Sequence, residues 1–240
     1  MRGVVLAGGL GTRLDPLTRV TNKHLLPIYS EPMIHYPLRT LQTMGIKETL
    51  IVTGGNSAGD FLKLLGNGSD FGMQLYYAYQ VGEGGIADAL RLAEGFVDGK
   101  FIVMLGDNII LKSLAEFADD FCRQEAGARV LLKEVHDPQR FGVATISGRQ
   151  ISKIVEKPKK PESNYAVTGV YGFDRSVFNV IQTLRPSGRG ELEITDVNMH
   201  YATKGTLCFN IWRDFWSDAR TFESLAAASL YVRDVRCNSF

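Results

Sequence analysis

The chain has few of the residues that staple or anchor a protein. Its three cysteines, Cys122, Cys208 and Cys237, lie far apart with no Cys-x-x-Cys spacing. That argues against a structural zinc site or a disulfide framework and favours a reducing compartment. No apolar run approaches the ~18 residues of a membrane span. The opening Met1-Arg-Gly-Val-Val-Leu-Ala-Gly-Gly breaks into glycine too early for a signal peptide's apolar stretch. The expected setting is the cytoplasm. An excess of one charge is also missing. The 27 basic and 26 acidic side chains leave a formal +1, so neither nucleic-acid nor membrane binding is favoured and any cationic site must be local. His24, His35, His136 and His200 show no triad or ligand spacing. Repeats, low-complexity tracts and linkers are absent too.

Glycine is present where chemistry needs it. Residues 3–7 read as a buried strand of a parallel sheet and run into Leu6-Ala-Gly-Gly-Leu-Gly-Thr-Arg-Leu-Asp-Pro. Gly8, Gly9 and Gly11 are expected to supply positive φ for tight turns. They also bare backbone N–H groups that can converge on an anion. Thr12 adds a hydroxyl, and Arg13 a guanidinium fork that matches phosphate oxygens. A P-loop would need a lysine after its last glycine, and a dinucleotide fingerprint a glycine where Leu14 stands. The motif is therefore a phosphate cradle of another kind, or a glycine-rich βα turn with no ligand.

Further on, strands are expected at residues 49–53, 73–80 and 101–105. Pro32 fits the first turn of a helix bearing Met33, Ile34, Leu38, Leu41 and Met44, which Gly45 ends. Other helices are expected at 58–65 and 86–93, with one more opened by a Ser113–Glu116 capping box. Strand-like runs at 128–135, 142–146, 150–156 and 165–173 have little helix between them and suggest an antiparallel extension. Helices at 177–184 and 193–203, a strand at 206–212 and a closing helix from 222 complete the chain. The pattern predicts an α/β fold: a Rossmann-like mixed, mainly parallel sheet with helices on both faces. Residues 1–240 read as one domain with two lobes, about 1–125 and 126–220, and a closing helix at 221–234.

Several polar residues sit where ligands bind in such folds. Asp107 follows the strand at 101–105, beyond the carboxyl end where open α/β sheets place ligand groups. Lys23, in Asn22-Lys-His-Leu-Leu-Pro-Ile, reads in isolation as a solvated lysine. Asp218 follows Phe215-Trp216, with Asp214 a rival in Trp212-Arg-Asp.

With these residues in view, the chain resembles the sugar-1-phosphate nucleotidyltransferase family, and within it the thymidylyltransferases that act on glucose 1-phosphate. The likeness runs nearly the full length. It rests on the cradle, the Lys23 segment with Pro32-Met-Ile, Gly84-Gly-Ile-Ala, Leu105-Gly-Asp-Asn, Val155-Glu-Lys-Pro, Val167-Thr-Gly-Val-Tyr, Arg189-Gly-Glu-Leu-Glu-Ile-Thr-Asp and Trp216-Ser-Asp-Ala. The chain stops short of the family's longer members. It also lacks the C-terminal hexapeptide-type β-helix of the bifunctional relatives.

The resemblance implies attack of a sugar-1-phosphate oxygen on the α-phosphorus of dTTP, or of UTP. With dTTP and glucose 1-phosphate the products are dTDP-glucose, which feeds deoxysugar synthesis, and pyrophosphate. A non-catalytic nucleotide-sugar-binding regulator on the same fold is the other reading. Two anions must meet, so fixed cations and Mg²⁺ are expected. Arg13, Lys23 and Asp107 are then the catalytic candidates. Leu6, Ala7, Gly8, Gly9, Gly11, Thr12 and Asn108 would line the nucleotide, with Gln80 and Gly85 reading the base. Gly142, Glu156, Lys157, Val167, Thr168, Gly169 and Tyr171 would hold the sugar phosphate. Asp107 and Asp218 would hold Mg²⁺. Glu193 and Asp196, three apart on a helix, are either sugar ligands or charges favoured at its N-terminus. The family usually has glycine where this chain has Arg220. Arginine there is expected to strain the loop if the backbone needs positive φ, or to add a cation beside the metal. A homo-oligomer, dimer or tetramer, is implied, with no nucleic-acid or membrane partner.

Overall fold

A computed structural model describes residues 1–238. The elements in order are β1 (Arg2–Ala7), β2 (Pro27–Ile28), β3 (Glu31–Pro32), α1 (His35–Thr43), β4 (Glu48–Gly54), α2 (Ala58–Leu65), β5 (Gln74–Gln80), α3 (Ile86–Arg91) and β6 (Phe101–Leu105). Then follow α4 (Ala115–Arg123), β7 (Ala128–Glu134), β8 (Gly142–Ser147), β9 (Gln150–Glu156), β10 (Tyr165–Phe173), α5 (Ser176–Thr183), α6 (Ile194–Thr203), β11 (Leu207–Trp212) and α7 (Phe222–Cys237). The fold is mixed α/β, as the strand–helix alternation predicts. Among the described residues no helix is long and apolar enough to cross a membrane.

The chain divides into two compact units. The first comprises Gly3–Glu83, Met104–Leu114 and the chain from Phe215 on; the second comprises Met1–Arg2, Gly84–Val103 and Ala115–Asp214.

In the first unit β1, β4 and β5 run parallel, with Ala7 opposite Thr53 and Thr53 opposite Tyr79. Val4, Val5, Ala7, Ile51 and Val52 are fully enclosed, as parallel strands covered on both faces require. The register brings the carboxyl ends of all three strands level. Gly54 lies opposite Gln80, and a Cβ on Gly54 would come within 2.9 Å of the Gly8 carbonyl oxygen. Pro32 is not in a helix. It pairs with Pro27 in the two-residue β2–β3 ladder, and α1 starts only at His35. The physical reason is tertiary, because the N–H groups of Met33 and Ile34 bond the carbonyls of Leu26 and His24 and hold this segment extended. A core cluster joins Ile28, Met33, Tyr36 and Ile109 to Ala219, Ala228 and Val232 of the C-terminal segment. Thr221 and Ser224 cap α7 reciprocally, and the helix runs past the expected end to Cys237.

In the second unit β7 pairs with β11 in parallel and with β10 antiparallel, and β8 and β9 form an antiparallel hairpin. The β10 register breaks between Val167 and Tyr171, where three residues on β10 (Thr168, Gly169 and Val170) stand against one on β7 (Leu131). Such a bulge redirects side chains and is common beside functional sites. Phe101 stacks on Phe178 with centroids 5.8 Å apart. Gly172 leaves room for Phe121, whose ring a Cβ would meet at 2.7 Å.

Candidate active site

The cradle follows β1 directly. Of its glycines only Gly11 takes positive φ (71°). Gly8 and Gly9, expected there too, do not, and of the two only Gly8 meets a steric demand. A Cβ on Gly8 would lie 2.8 Å from Gln80 Oε1, and one on Gly11 2.7 Å from Lys23 Cβ. The glycines thus clear space for the Gln80 amide and for the aliphatic stem of Lys23, which also passes 3.9 Å from a Cβ built on Gly9. Leu6 and Ala7 are buried at the strand end, while Thr12 and Arg13 begin a 3-10 turn and are exposed. Gln80 is 6% exposed.

Lys23 sits on a short turn shaped by Asn22. The Asn22 Oδ1 accepts from His24 N at 3.0 Å and bonds His24 Nδ1 at 2.7 Å. Burial, reinforced by the Lys23 charge, pushes the His24 pKa down to about 3, so the ring is neutral. Gly106, which links β6 to Asp107, is required by the same ring, because a Cβ would meet His24 Cδ2 at 2.7 Å. This packing delivers Lys23 Nζ to Asp107 Oδ2 at 2.6 Å.

Asp107 and Asp218 come from chain segments far apart in sequence and are joined by backbone. Ile109 N donates to the Ser217 carbonyl at 2.9 Å, and Ser217 N donates back at 3.3 Å. Trp216 Nε1 donates to Asn108 Oδ1 at 2.6 Å, and Asn108 Nδ2 to Asp107 Oδ1 at 3.4 Å. Both aspartates are 6% exposed. Burial pushes the Asp107 carboxyl up, but the charges of Lys23 and Arg220, with the Lys23 hydrogen bond, outweigh it and hold the group below the ordinary carboxylate value. Arg220 pairs through Nε with Asp218 Oδ2. Positive φ falls on Ala219 (37°), one residue before the arginine, so the feared strain is not at Arg220 and its charge is what matters. No group of three or more His, Cys, Asp or Glu suited to a metal occurs among the described residues. Two enclosed carboxylates nevertheless fit a hard cation such as Mg²⁺, which takes few protein oxygens and completes its shell with phosphate and water.

The remaining candidates lie in the second unit. Gly85, at φ 92°, opens α3; the Leu192 amide bonds the Gly84 carbonyl, and a Cβ on Gly85 would meet the Leu192 oxygen at 2.7 Å. Gly142 lies opposite Glu156 in the β8–β9 hairpin. Glu156 accepts from Thr195 Oγ1 at 2.8 Å and lies 3.1 Å from Lys157 Nζ and 3.7 Å from Arg189 Nη2. Lys157 adopts φ 42°, a strained value for a non-glycine residue. Arg189 holds Glu193 by both carboxylate oxygens, at 2.9 and 2.8 Å. Glu193 is therefore the cap of α6 rather than a member of it, and Asp196 stands in the first turn. Burial, then Glu193 and Glu156, raise the Asp196 carboxyl. Val167 is the last paired residue before the β10 bulge, which holds Thr168 and Gly169; there the Thr168 hydroxyl donates to the Leu131 carbonyl at 2.9 Å. Tyr171 is 3% exposed and stacks on Phe173. Sequence reasoning assigns Arg189 no role. Its signal was an arginine followed at two and four residues by Glu191 and Glu193.

Known proteins resemble the chain over nearly its whole length. Residues 2–235 match the family model described as nucleotidyl transferase. The glucose-1-phosphate thymidylyltransferase of Neisseria meningitidis is 42% identical over 98% of this chain and 84% of its own. A crystal structure assigned as a glucose-1-phosphate thymidylyltransferase from Bacillus anthracis, in complex with sucrose, aligns with a TM-score of 0.93 at 48% identity, covering 98% of this chain and 96% of that one. A UDP-glucose pyrophosphorylase complexed with UDP-glucose aligns at 0.87 with 22% identity, covering 97% and 98%; at that identity it shares the fold, a mostly parallel central sheet flanked by helices. A family match that omits only the chain's ends, together with relatives this similar, shows that the chain belongs to the nucleotidyl transferase family.

Proposed function

We propose that the protein transfers the thymidylyl group of dTTP to glucose 1-phosphate, giving dTDP-glucose and pyrophosphate. The choice of substrates is supported by the names of its relatives at 42% identity. The observation that carries the chemistry is the joining of Asp107 and Asp218 by the Ile109–Ser217 backbone pair, with Lys23 on one carboxylate. In the reaction an ionised oxygen of the sugar phosphate bonds the α-phosphorus, and the bond from that phosphorus to the bridging oxygen breaks. The electron pair leaves with pyrophosphate. The nucleophile is already ionised, so no general base is required.

Each proposed residue has a task. Gly8 to Thr12 present backbone amides, and Arg13 and Lys23 their charges, to the triphosphate, whose developing negative charge they stabilise. The Gln80 amide pairs with the edge of thymine, and Gly85 is the second residue assigned to base recognition. Asp107 and Asp218 would hold Mg²⁺, which when bound neutralises phosphate charge and polarises the phosphoryl group. Asn108, bonded to Asp107 and Trp216, keeps the first of these carboxylates oriented. Lys157 and Arg189 bind the sugar phosphate, and Glu156 accepts from sugar hydroxyls. Gly142, Val167 and the β10 bulge at Thr168 and Gly169 give the sugar space, with Tyr171 bracing that strand from within. The free Cys122, Cys208 and Cys237 suit a reducing cytoplasm.

The test is pyrophosphate release with Mg²⁺, glucose 1-phosphate and either dTTP or UTP. Turnover with dTTP should exceed that with UTP, and Asp107→Asn should lower kcat by about 10²-fold or more. A nucleotide that binds without any turnover would make the protein a silent regulator instead.

A further inference from the structure

The two carboxylates proposed to hold a divalent cation each have a cationic partner already. Lys23 lies on Asp107, and the Arg220 guanidinium lies on Asp218. The carboxylate side chains are only 9% and 8% exposed, so little solvent screens either pair. Formally the four groups sum to zero, and a divalent cation approaching them meets a neutral cluster instead of a double negative charge.

The two cations are not held alike. The Lys23 stem is threaded past Gly9 and Gly11, where a single added Cβ on Gly11 would strike it. Arg220 stands on the loop between Ala219 and the Thr221 cap of α7, with 24% of its side chain in solvent.

We propose that Arg220 is a built-in counter-ion of Asp218, occupying that carboxylate in the free protein and releasing it only when a nucleoside triphosphate brings its own negative charge. The cation is then taken up together with nucleotide and not before it. The displaced guanidinium becomes available to the incoming phosphates, for which its planar fork is suited. This inference rests on the reading of Asp107 and Asp218 as carboxylates for a divalent cation.

Mn²⁺ binding to the full-length protein, measured by electron paramagnetic resonance and water-proton relaxation, tests it without reference to turnover. In the absence of nucleotide, Arg220→Ala should bind one Mn²⁺ at least about tenfold more tightly than the unaltered protein, because one positive charge is gone. Arg220→Gln should behave alike, and it serves if the alanine variant melts early by circular dichroism. Adding Asp218→Asn should abolish the gain. With dTTP present, the unaltered protein should recover most of the difference. Equal Mn²⁺ affinities without nucleotide, or a gain that survives Asp218→Asn, would overturn the role of Arg220 while leaving the carboxylate reading intact. Failure of every variant to bind Mn²⁺, with or without dTTP, would overturn both.

Discussion

His24 shows how much of the site is held by a residue with no chemistry to perform. Its ring is enclosed, bonded to Asn22 and wedged against Gly106, which ties the Lys23 turn to the Asp107 turn. Burial lowers its pKa from 6.5 to about 3. Below pH 6.5 the unfolded chain gains a proton that the native ring refuses, so the stability this residue allows is intact above pH 6.5 and is lost as pH falls towards 3. The slope for one such group is about 1.4 kcal/mol per pH unit. Urea unfolding of the wild type and of His24→Gln, compared at pH 7.5, 6 and 5, should show the wild type losing stability faster by about that amount per unit. Parallel losses would mean that the ring becomes charged in the fold. Nothing in the sequence marked this residue, because a histidine's burial is decided by elements elsewhere in the chain.

Among the elements, the strand ends were the most legible part of the molecule. Apolar runs that stop at glycine mark β1 and β4, and the Tyr-rich run ending in Gln80 marks β5, while the level edge that gathers Gly8, Gly54 and Gln80 is set by the register between them. Less legible were features set by pairing between segments. Pro32 satisfies the rule for a helix's first turn, yet backbone bonds from Met33 and Ile34 keep it extended. The positive φ of Lys157 and Ala219 falls on residues that give no warning of it. The sequence marks the glycines of the cradle for conformational freedom, but at Gly8 the constraint is the nearby Gln80 Oε1. Gly8→Ala therefore moves a flexible amide rather than backbone. The expected result is a KM for dTTP raised several-fold (about 1 kcal/mol of binding), with kcat and the melting temperature little changed. If the melting temperature drops sharply while KM holds, the close approach serves packing alone.

At the scale of the whole molecule the decisive feature is how the chain is interleaved. The first unit is assembled from three separated stretches, and the last of them, from Phe215 on, returns after the entire run Ala115–Asp214 has folded into the second. A linear reading into an N-terminal and a C-terminal lobe does not contain this return, because neither composition nor periodicity marks which distant segment a strand end will meet. The return has two consequences in the same place. It brings Asp218 beside Asp107 through the Ser217–Ile109 bonds, and it fills the cluster around Ile28, Met33 and Tyr36 with Ala219, Ala228 and Val232. The proposed cation site and this part of the core therefore stand or fall together. A chain ending at Asp214 should expose that apolar cluster, which loses more than the cavity of about 2–5 kcal/mol that a single Met33→Ala would open. Such a protein is expected to bind a hydrophobic dye, to unfold without a sharp transition, and to show no Mn²⁺ uptake with dTTP. A cooperative melt within a few degrees of the intact chain would show that the first unit is complete without its third stretch, and the link between core and site would then be broken.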